Sequence, residues 1–412
     1  MKRVLMVAFH FPPLTGGSGI QRTLRFVQHM PLLGWQPIVL SAAPRAYEAT
    51  GEELMAEIPP QTVVSRPFAL DTAKHLSLHG KYLGCMARPD RWISWKFAAV
   101  PEGLRLIDQF RPDMIWSTYP IATAHLIAAT LQKRSGLPWV ADFRDPMAQA
   151  DYPAEQATWR SFKAVEEKVF GQARACVFTT PGAAAEYRQR YSKTAAAIEV
   201  IENGYDEESF APVVSDQTPL VPGAITLLHS GVVYPSERDP TALFAALAKL
   251  RDQGVLVPGQ FRLRFRASGH DRVLQAMLER HGVADLVELC PPLPYRPALA
   301  EMLRADALVL LQASNCNAQI PAKLYEYLRA GRPILGLTDP VGDTADALRQ
   351  AGIAMLAPLD DAVAIATALR QFVHSLREGG AGLPDPHYVA RCSRRQRSAS
   401  LAALFERLLS AP

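Results

Sequence analysis

The chain has 412 residues, 49% of them apolar and 20% charged, the composition of an ordinary soluble protein whose length implies two or three domains rather than one core. A formal charge of +4 and a pI near 8.8 are mildly basic, which leaves an anionic partner open but falls far short of the clustered Lys/Arg stripe of a nucleic-acid binder. Five scattered cysteines, Cys85, Cys176, Cys290, Cys316 and Cys392, contain no CxxC pair, so they read as reduced thiols in a cytoplasm rather than as a disulfide framework or a zinc cluster.

The opening MKRVLMVAFHFPP carries two charges and an apolar run that stops at Pro12-Pro13, too short for a signal peptide, and reads as a first strand, Val4–Phe9. No stretch approaches the ~20 apolar residues of a membrane-spanning helix, so any membrane contact is expected to be peripheral. A helix over Ile20–Leu33, closed by Gly34, leads to a strand at Pro37–Leu40; further strands are expected at Met114–Ser117, Pro138–Asp142, Ala175–Thr179 and Ile198–Ile201. Helical patterns such as Ile121–Arg134 and Glu155–Phe170 lie between them. After Asn203-Gly204 a polar stretch, Asp206 to Pro222, reads as an interdomain linker. The alternation then restarts with strands at Ile225–His229, Arg262–Ala267, Leu286–Cys290, Ala307–Leu311, Pro333–Leu337 and Ile353–Leu356, and ends in one Arg-rich amphipathic helix from His387 to Leu409. Such alternation predicts two doubly wound halves with parallel sheets, a class that binds ligands at the carboxyl ends of its strands.

Four segments carry chemistry. FHFPPLTGGSG, Phe9 to Gly19, joins the first strand to the first helix, where glycines let backbone amides approach an anion; a turn needing positive φ is the alternative. WVADFRDPM, Trp139 to Met147, puts Asp142, Arg144 and Asp145 at a strand's end, where they must pair with one another or face water; an Asp-Pro turn with a local ion pair is the bland reading. In HSGVVYPSERDP, His229 to Pro240, Asp239 and Pro240 look like the start of a helix, which places Arg238 ahead of a helix N-terminus, a position better explained by a shared anion than by the dipole, unless it is a solvated surface side chain. In NAQIPAKLYEYLRAGRPIL, Asn317 to Leu335, Lys323 and Glu326 share one helix face; the cation in the first turn and the carboxylate one turn on would suit a nucleotide's phosphate and ribose diol, against an exposed i,i+3 ion pair.

In this order the segments resemble the retaining nucleotide-sugar glycosyltransferases of glycosyltransferase family 4 over nearly the whole chain. FPPLTGG looks like the family's Gly-rich loop, VIENGYDEESF (Val200 to Phe210) its NGxDxxxF stretch, LLHSGVVYPSERDP its first C-domain strand and phosphate-binding basic residue, and IPAKLYEYLRAGRPIL its donor-binding helix. The resemblance implies an α/β GT-B fold, two doubly wound Rossmann-like domains facing across a cleft: residues 1–210 for the acceptor, 211–385 for the nucleotide sugar, and 386–412 a C-terminal helix packing back on the first. It implies that Glu326 contacts the ribose as the second glutamate of E-x7-E, and that Arg238 neutralises the diphosphate with Lys323. It implies further that the Gly16–Gly17 amides face the donor phosphates, that Gly231 is the C-domain glycine, and that Pro292 and Leu293 (in LCPPL) cradle the base. Two positions depart from the pattern: Ala318 replaces the first glutamate, and Arg144 stands where a His precedes Asp145; a polysaccharide-assembly branch with a PAKLYEYLAAG-like helix is similar in both respects.

The expected activity is transfer of a sugar, with retention, from a nucleotide-sugar donor to a glycan or lipid-linked acceptor in bacterial surface polysaccharide assembly. No cofactor, metal or nucleic acid is expected, and Arg238, Lys323, Arg144 and Asp145 carry the reaction. A nucleotide-sugar epimerase or a catalytically silent nucleotide-sugar-binding protein are the rivals. The expected location is cytoplasmic at the inner face of the membrane, because Lys74 to Phe97 interleaves Lys74, Lys81, Arg88, Arg91 and Lys96 with Tyr82, Trp92, Trp95 and Phe97. In the alternative, those aromatics pack inward and the charges are merely solvated.

Overall fold

A computed structural model of the chain describes residues 1–16, 18–150, 152–211, 213 and 218–410, with nothing stated for the side chain of Ser18. It divides into two compact units, Met1–Asn203 with Arg394–Pro412, and Gly204–Ser393.

The first unit is built on β1 (Lys2–Val7), β2 (Trp35–Leu40), β3 (Val63–Ser65), β4 (Met114–Thr118), β5 (Trp139–Arg144), β6 (Ala175–Phe178) and β7 (Ala197–Val200). They form one seven-stranded sheet in the order β3-β2-β1-β4-β5-β6-β7, and each adjacent pair is parallel. Successive residues of β1 feed opposite faces, Val4 and Met6 into one apolar cluster, Leu5 and Val7 into the other. Both faces are covered, which is why the strand reads as an unbroken apolar run. The helix Arg394–Ser410 closes one face: Leu401, Leu404 and Phe405 join the cluster of Val4 and Met6, and Phe405 meets Trp35 edge-on at 5.0 Å.

The second unit uses β8 (Ile225–Ser230), β9 (Phe261–Arg266), β10 (Val287–Cys290), β11 (Ala307–Gln312), β12 (Ile334–Thr338) and β13 (Leu356–Ala357). They form a six-stranded sheet in the order β10-β9-β8-β11-β12-β13, again parallel throughout. In both sheets the chain winds outward in one direction and then returns to build the other half. Each sheet therefore has a switch point, β1/β4 and β8/β11, beyond whose carboxyl ends such folds take ligands.

Expectation and structure differ at four places. The edge strand β3 is not among the expected strands: it is only three residues long, too short to leave an alternating pattern. The last strand is Leu356–Ala357 rather than Ile353–Leu356. The C-terminal helix is two helices, Pro386–Arg391 and Arg394–Ser410, because Cys392 ends the first and its carbonyl is taken by the Tyr205 amide. The polar stretch after Asn203 begins as ordered structure: Glu207–Phe210 is helical and Phe210 is buried beside Tyr205 and Leu228, whereas Pro212 and residues 214–217 lie outside the described residues.

The charges at the end of β5 do not pair with one another. Asp142 is fully buried and takes a two-pronged bond from Arg22 at 2.9 Å on each oxygen, plus the Thr118 hydroxyl at 3.0 Å. Arg22 also donates to the carbonyls of Ile201 and Glu202, so one guanidinium ties the first helix to β5 and to the exit of β7. Removing one partner of such a pair strands a charge in the core. Asp142→Asn is expected to lose about 3–5 kcal/mol of stability in denaturant unfolding; a loss under about 1 kcal/mol would mean the pair is not needed.

Candidate functional site

In the second unit the predicted residues gather beyond the β8/β11 switch point. The helix Lys323–Ala330 begins with Lys323 and is closed by Gly331 in the left-handed conformation. Lys323 lies across the end of β8: its Nζ is 3.0 Å from His229 Nε2. A Cβ on Gly231 would stand 3.1 Å from that Nζ, and Gly231 has φ of +105°, a backbone that side chains rarely adopt. Glycine at 231 thus serves both the turn out of β8 and the close approach of the lysine.

Arg238 is held by its own loop. Its guanidinium donates to the Val232 carbonyl at 2.8 Å and sits over the Tyr234 ring at 5.1 Å, while its buried Nε has no partner. The helix that follows starts at Thr241, and Asp239 caps it from outside through the Thr241 amide and hydroxyl. Among the described residues neither Arg238 nor Lys323 forms an ion pair. Burial first, and Arg238 second, push the Lys323 amine well below the ordinary lysine range, with Glu326 opposing.

Glu326, one turn after Lys323, accepts the Tyr295 hydroxyl at 2.8 Å. Tyr295 opens the helix Tyr295–Arg304, directly after the exposed loop that holds Pro292 and Leu293. The expected base loop and the expected ribose carboxylate are therefore linked by a tyrosine that sequence reading passed over. His229, Tyr234 and Tyr327 were passed over too. Tyr327 is buried and its hydroxyl accepts the Ser230 amide at 2.7 Å, fixing the end of β8 against the helix. No spacing rule marks these residues, because their partners lie on other elements. Ala318 offers no carboxylate, and its neighbour Asn317 instead donates to Asp339 at 2.7 Å.

A concavity of about 500 Å³ lies at the same carboxyl end of this sheet, lined by residues that follow β8, β11, β12 and β13, among them Asp239, Ala313, Asp339 and Asp360. Its carboxylates would repel a diphosphate. Lys323 and Arg238, which no ion pair neutralises among the described residues, do not line it.

In the first unit Gly16 has φ of +90°, and Gly17 lies outside the described residues. Arg144 ends β5 after a register shift, with φ of +62°, and its carbonyl is held by the Thr179 amide and hydroxyl. Its side chain is buried, its Nε is unpartnered, and among the described residues its only side-chain bond is a long one, 3.4 Å, to the Tyr119 carbonyl. Gly19 makes room for it: a Cβ there would meet the Arg144 guanidinium at 2.5 Å and His10 at 2.7 Å. Burial, with Arg144 adding, lowers His10 to about 4, so it stays neutral. Asp145 is half-buried and bonds through its amide to Phe143. A strained non-glycine backbone that presents an unpaired guanidinium is the kind of feature stored at working sites.

The membrane segment needs correction. Trp95 is fully buried and Trp92 partly so, their indole N–H groups bonded to the Ser41 and Ala46 carbonyls. Arg88 pairs with Glu155, and Arg91 with Glu48 and Asp71. What faces outward is Leu76, Leu78, Tyr82, Leu83, Met86 and Phe97, with Lys74 and Lys81 exposed among them. No helix among the described residues is long and apolar enough to cross a membrane.

Residues 19–209 match the model of Glycosyltransferase Family 4. No match is found among curated protein sequences. Among solved structures the chain is similar to sucrose-phosphate synthase from Thermosynechococcus elongatus, at 15% identity over 100% of both chains with a TM-score of 0.67. It is also similar to Anabaena Alr3699/HepE in complex with UDP, at 12% identity over 98% of this chain and 95% of that one, with a TM-score of 0.63. A third likeness is to the lipopolysaccharide outer core galactosyltransferase WaaB, at 13% identity over 99% and 100% with a TM-score of 0.62. At such identities the structures speak for the fold. With a Glycosyltransferase Family 4 match largely confined to the first unit and a doubly wound sheet in each unit, the chain is a glycosyltransferase of the GT-B fold whose first unit carries the family 4 domain.

Proposed function

We propose that the second unit binds a nucleotide-sugar donor, with the diphosphate on Lys323 and Arg238 beside Gly231, the ribose diol on Glu326 and the base against Pro292 and Leu293. The observation that carries this reading is the pair of partly buried cations at the β8/β11 switch point, without an ion partner among the described residues, since buried charge is costly unless something neutralises it. The HepE structures in complex with UDP and with UDP-glucose support the ligand class. Charge on the departing diphosphate would be met by side chains, which leaves no task for a divalent metal.

In this reading the first unit receives a glycan or lipid-linked acceptor, and Arg144, Asp145 and the Gly16–Gly17 loop handle the reacting groups, with retention at the anomeric carbon. Surface polysaccharide assembly is the setting, and WaaB's description as a lipopolysaccharide galactosyltransferase supports it. The protein works at the cytoplasmic face of a membrane through the outward apolar cluster of Leu78, Leu83, Met86 and Phe97 flanked by Lys74 and Lys81. Ala318 is the feature that favours a silent binding protein instead, and turnover with and without acceptor extract separates that rival, and an epimerase, from a transferase.

Glu326→Ala is expected to weaken donor binding by about 1.5–3 kcal/mol, the worth of a charge-assisted hydrogen bond, with folding intact and with activity insensitive to chelator. Unchanged affinity by calorimetry would remove the ribose assignment, and an absolute need for Mg²⁺ or Mn²⁺ would remove the metal-free reading. For the membrane surface, sedimentation with anionic vesicles at low salt is expected to carry the protein down, more weakly at high salt or after Leu78→Glu with Leu83→Glu. Equal, negligible binding to anionic and neutral vesicles would contradict it.

A further inference from the structure

His229 is on β8, and its side chain is fully buried. Its Nδ1 lies 2.9 Å from the Val309 carbonyl of β11. A carbonyl only accepts, so Nδ1 carries the hydrogen, and in the neutral ring Nε2 is left with a lone pair. That lone pair faces Lys323 Nζ at 3.0 Å. The imidazole is packed against Phe265 of β9 at 5.5 Å between ring centroids, so it cannot swing away without disturbing the core.

The lysine is thereby aimed. One amine hydrogen is directed at Nε2, Gly231 leaves the space on the β8 side open, and the remaining donor capacity is free for a ligand. The charged groups that act on the pair from outside it are few: Arg238 from the loop after β8, and Glu326 from the lysine's own helix. Burial, the mutual proximity of the pair and Arg238 all disfavour positive charge on both members. The Val309 carbonyl opposes this at His229, and Glu326 opposes it at Lys323. In the free protein the pair therefore holds fewer protons than the same side chains would in water. An arriving diphosphate brings the compensating charge and reverses that balance.

We propose that His229 is the positioning residue for Lys323, and that capture of the donor's diphosphate draws a proton from solvent onto the Lys323–His229 pair, so that nucleotide binding is proton-coupled. The proposal rests on the donor reading above. Protonation occurs at the amine nitrogen, the proton comes from buffer, and no covalent bond other than N–H changes. The sign is fixed: the bound state binds protons more tightly than the free state, so affinity falls as pH rises between the free and bound pKa values, by at most about tenfold per pH unit. Below the free value and above the bound one it is flat.

The test is isothermal titration of UDP, GDP, ADP and dTDP into the full chain at about pH 8, where the nucleotides' own phosphates are ionised, in two buffers of different ionisation enthalpy. For whichever nucleotide binds, the observed heat is expected to differ between buffers in the sense of proton uptake. Lys323→Arg, permanently charged, is expected to keep binding and lose the uptake. His229→Ala is expected to weaken binding by about tenfold, with His229→Gln, which keeps an acceptor near Lys323, recovering most of it. Equal heats in both buffers, proton release, or uptake that survives in Lys323→Arg would overturn the coupling while leaving the donor site standing. Binding by none of the four nucleotides would overturn the donor reading and the coupling together. The wild-type titration decides even where a variant fails to fold.

Discussion

A lysine amine enclosed at the mouth of a parallel sheet, with no carboxylate bonded to it, is the constraint on which the second unit is arranged. Gly231 takes a left-handed turn so that Lys323 can lie across it, and His229 gives up its surface to hold the amine. Tyr327 pins the end of β8 to the lysine's helix through the Ser230 amide. Arg238, stacked on Tyr234, adds a second cation to the same region and makes the first harder to keep charged. A fold does not retain two such groups for stability, because buried charge without a partner costs several kcal/mol. In the proposed reading an anionic ligand resolves the conflict, and the switch point is where this class of sheet takes one.

The first unit shows what the same chemistry looks like when it is structural. Arg22 and Asp142 are deeply buried, yet every nitrogen of the guanidinium and both carboxylate oxygens have a partner, and they join three elements. Two residues further along β5, Arg144 has a strained backbone, an unsatisfied Nε and a neutral histidine beside it. The contrast separates a charge that holds the domain together from one that the domain leaves without an ion partner among the described residues.

Much of this was legible in the sequence, for reasons that differ by residue. Most strands were, because both faces of each sheet are covered and the runs are unbroken: β8, β11 and β12 lie within a residue or two of where the apolar pattern puts them, whereas the short edge strands β3 and β13 were not. Lys323, Glu326 and Arg238 stood out because helix position made their charges awkward. What stayed hidden depends on contacts that spacing does not encode. Asp142 finds Arg22, 120 positions away, rather than its neighbour Arg144. His229 reads as one more strand residue until Val309 and Lys323 are seen on either side of it. Trp92 and Trp95 looked like an interfacial belt but are drawn inward by the Ala46 and Ser41 carbonyls, which leaves the leucines between Leu76 and Leu83 outside.

The central claim, that this cation pair holds the leaving diphosphate of a sugar donor, is tested most directly by a crystal structure of the protein with an intact nucleotide sugar. The account predicts diphosphate oxygens within hydrogen-bond distance of Lys323 Nζ and the Arg238 guanidinium, with a ribose diol on Glu326. A donor bound elsewhere, with Lys323 still bonded only to His229, would contradict it.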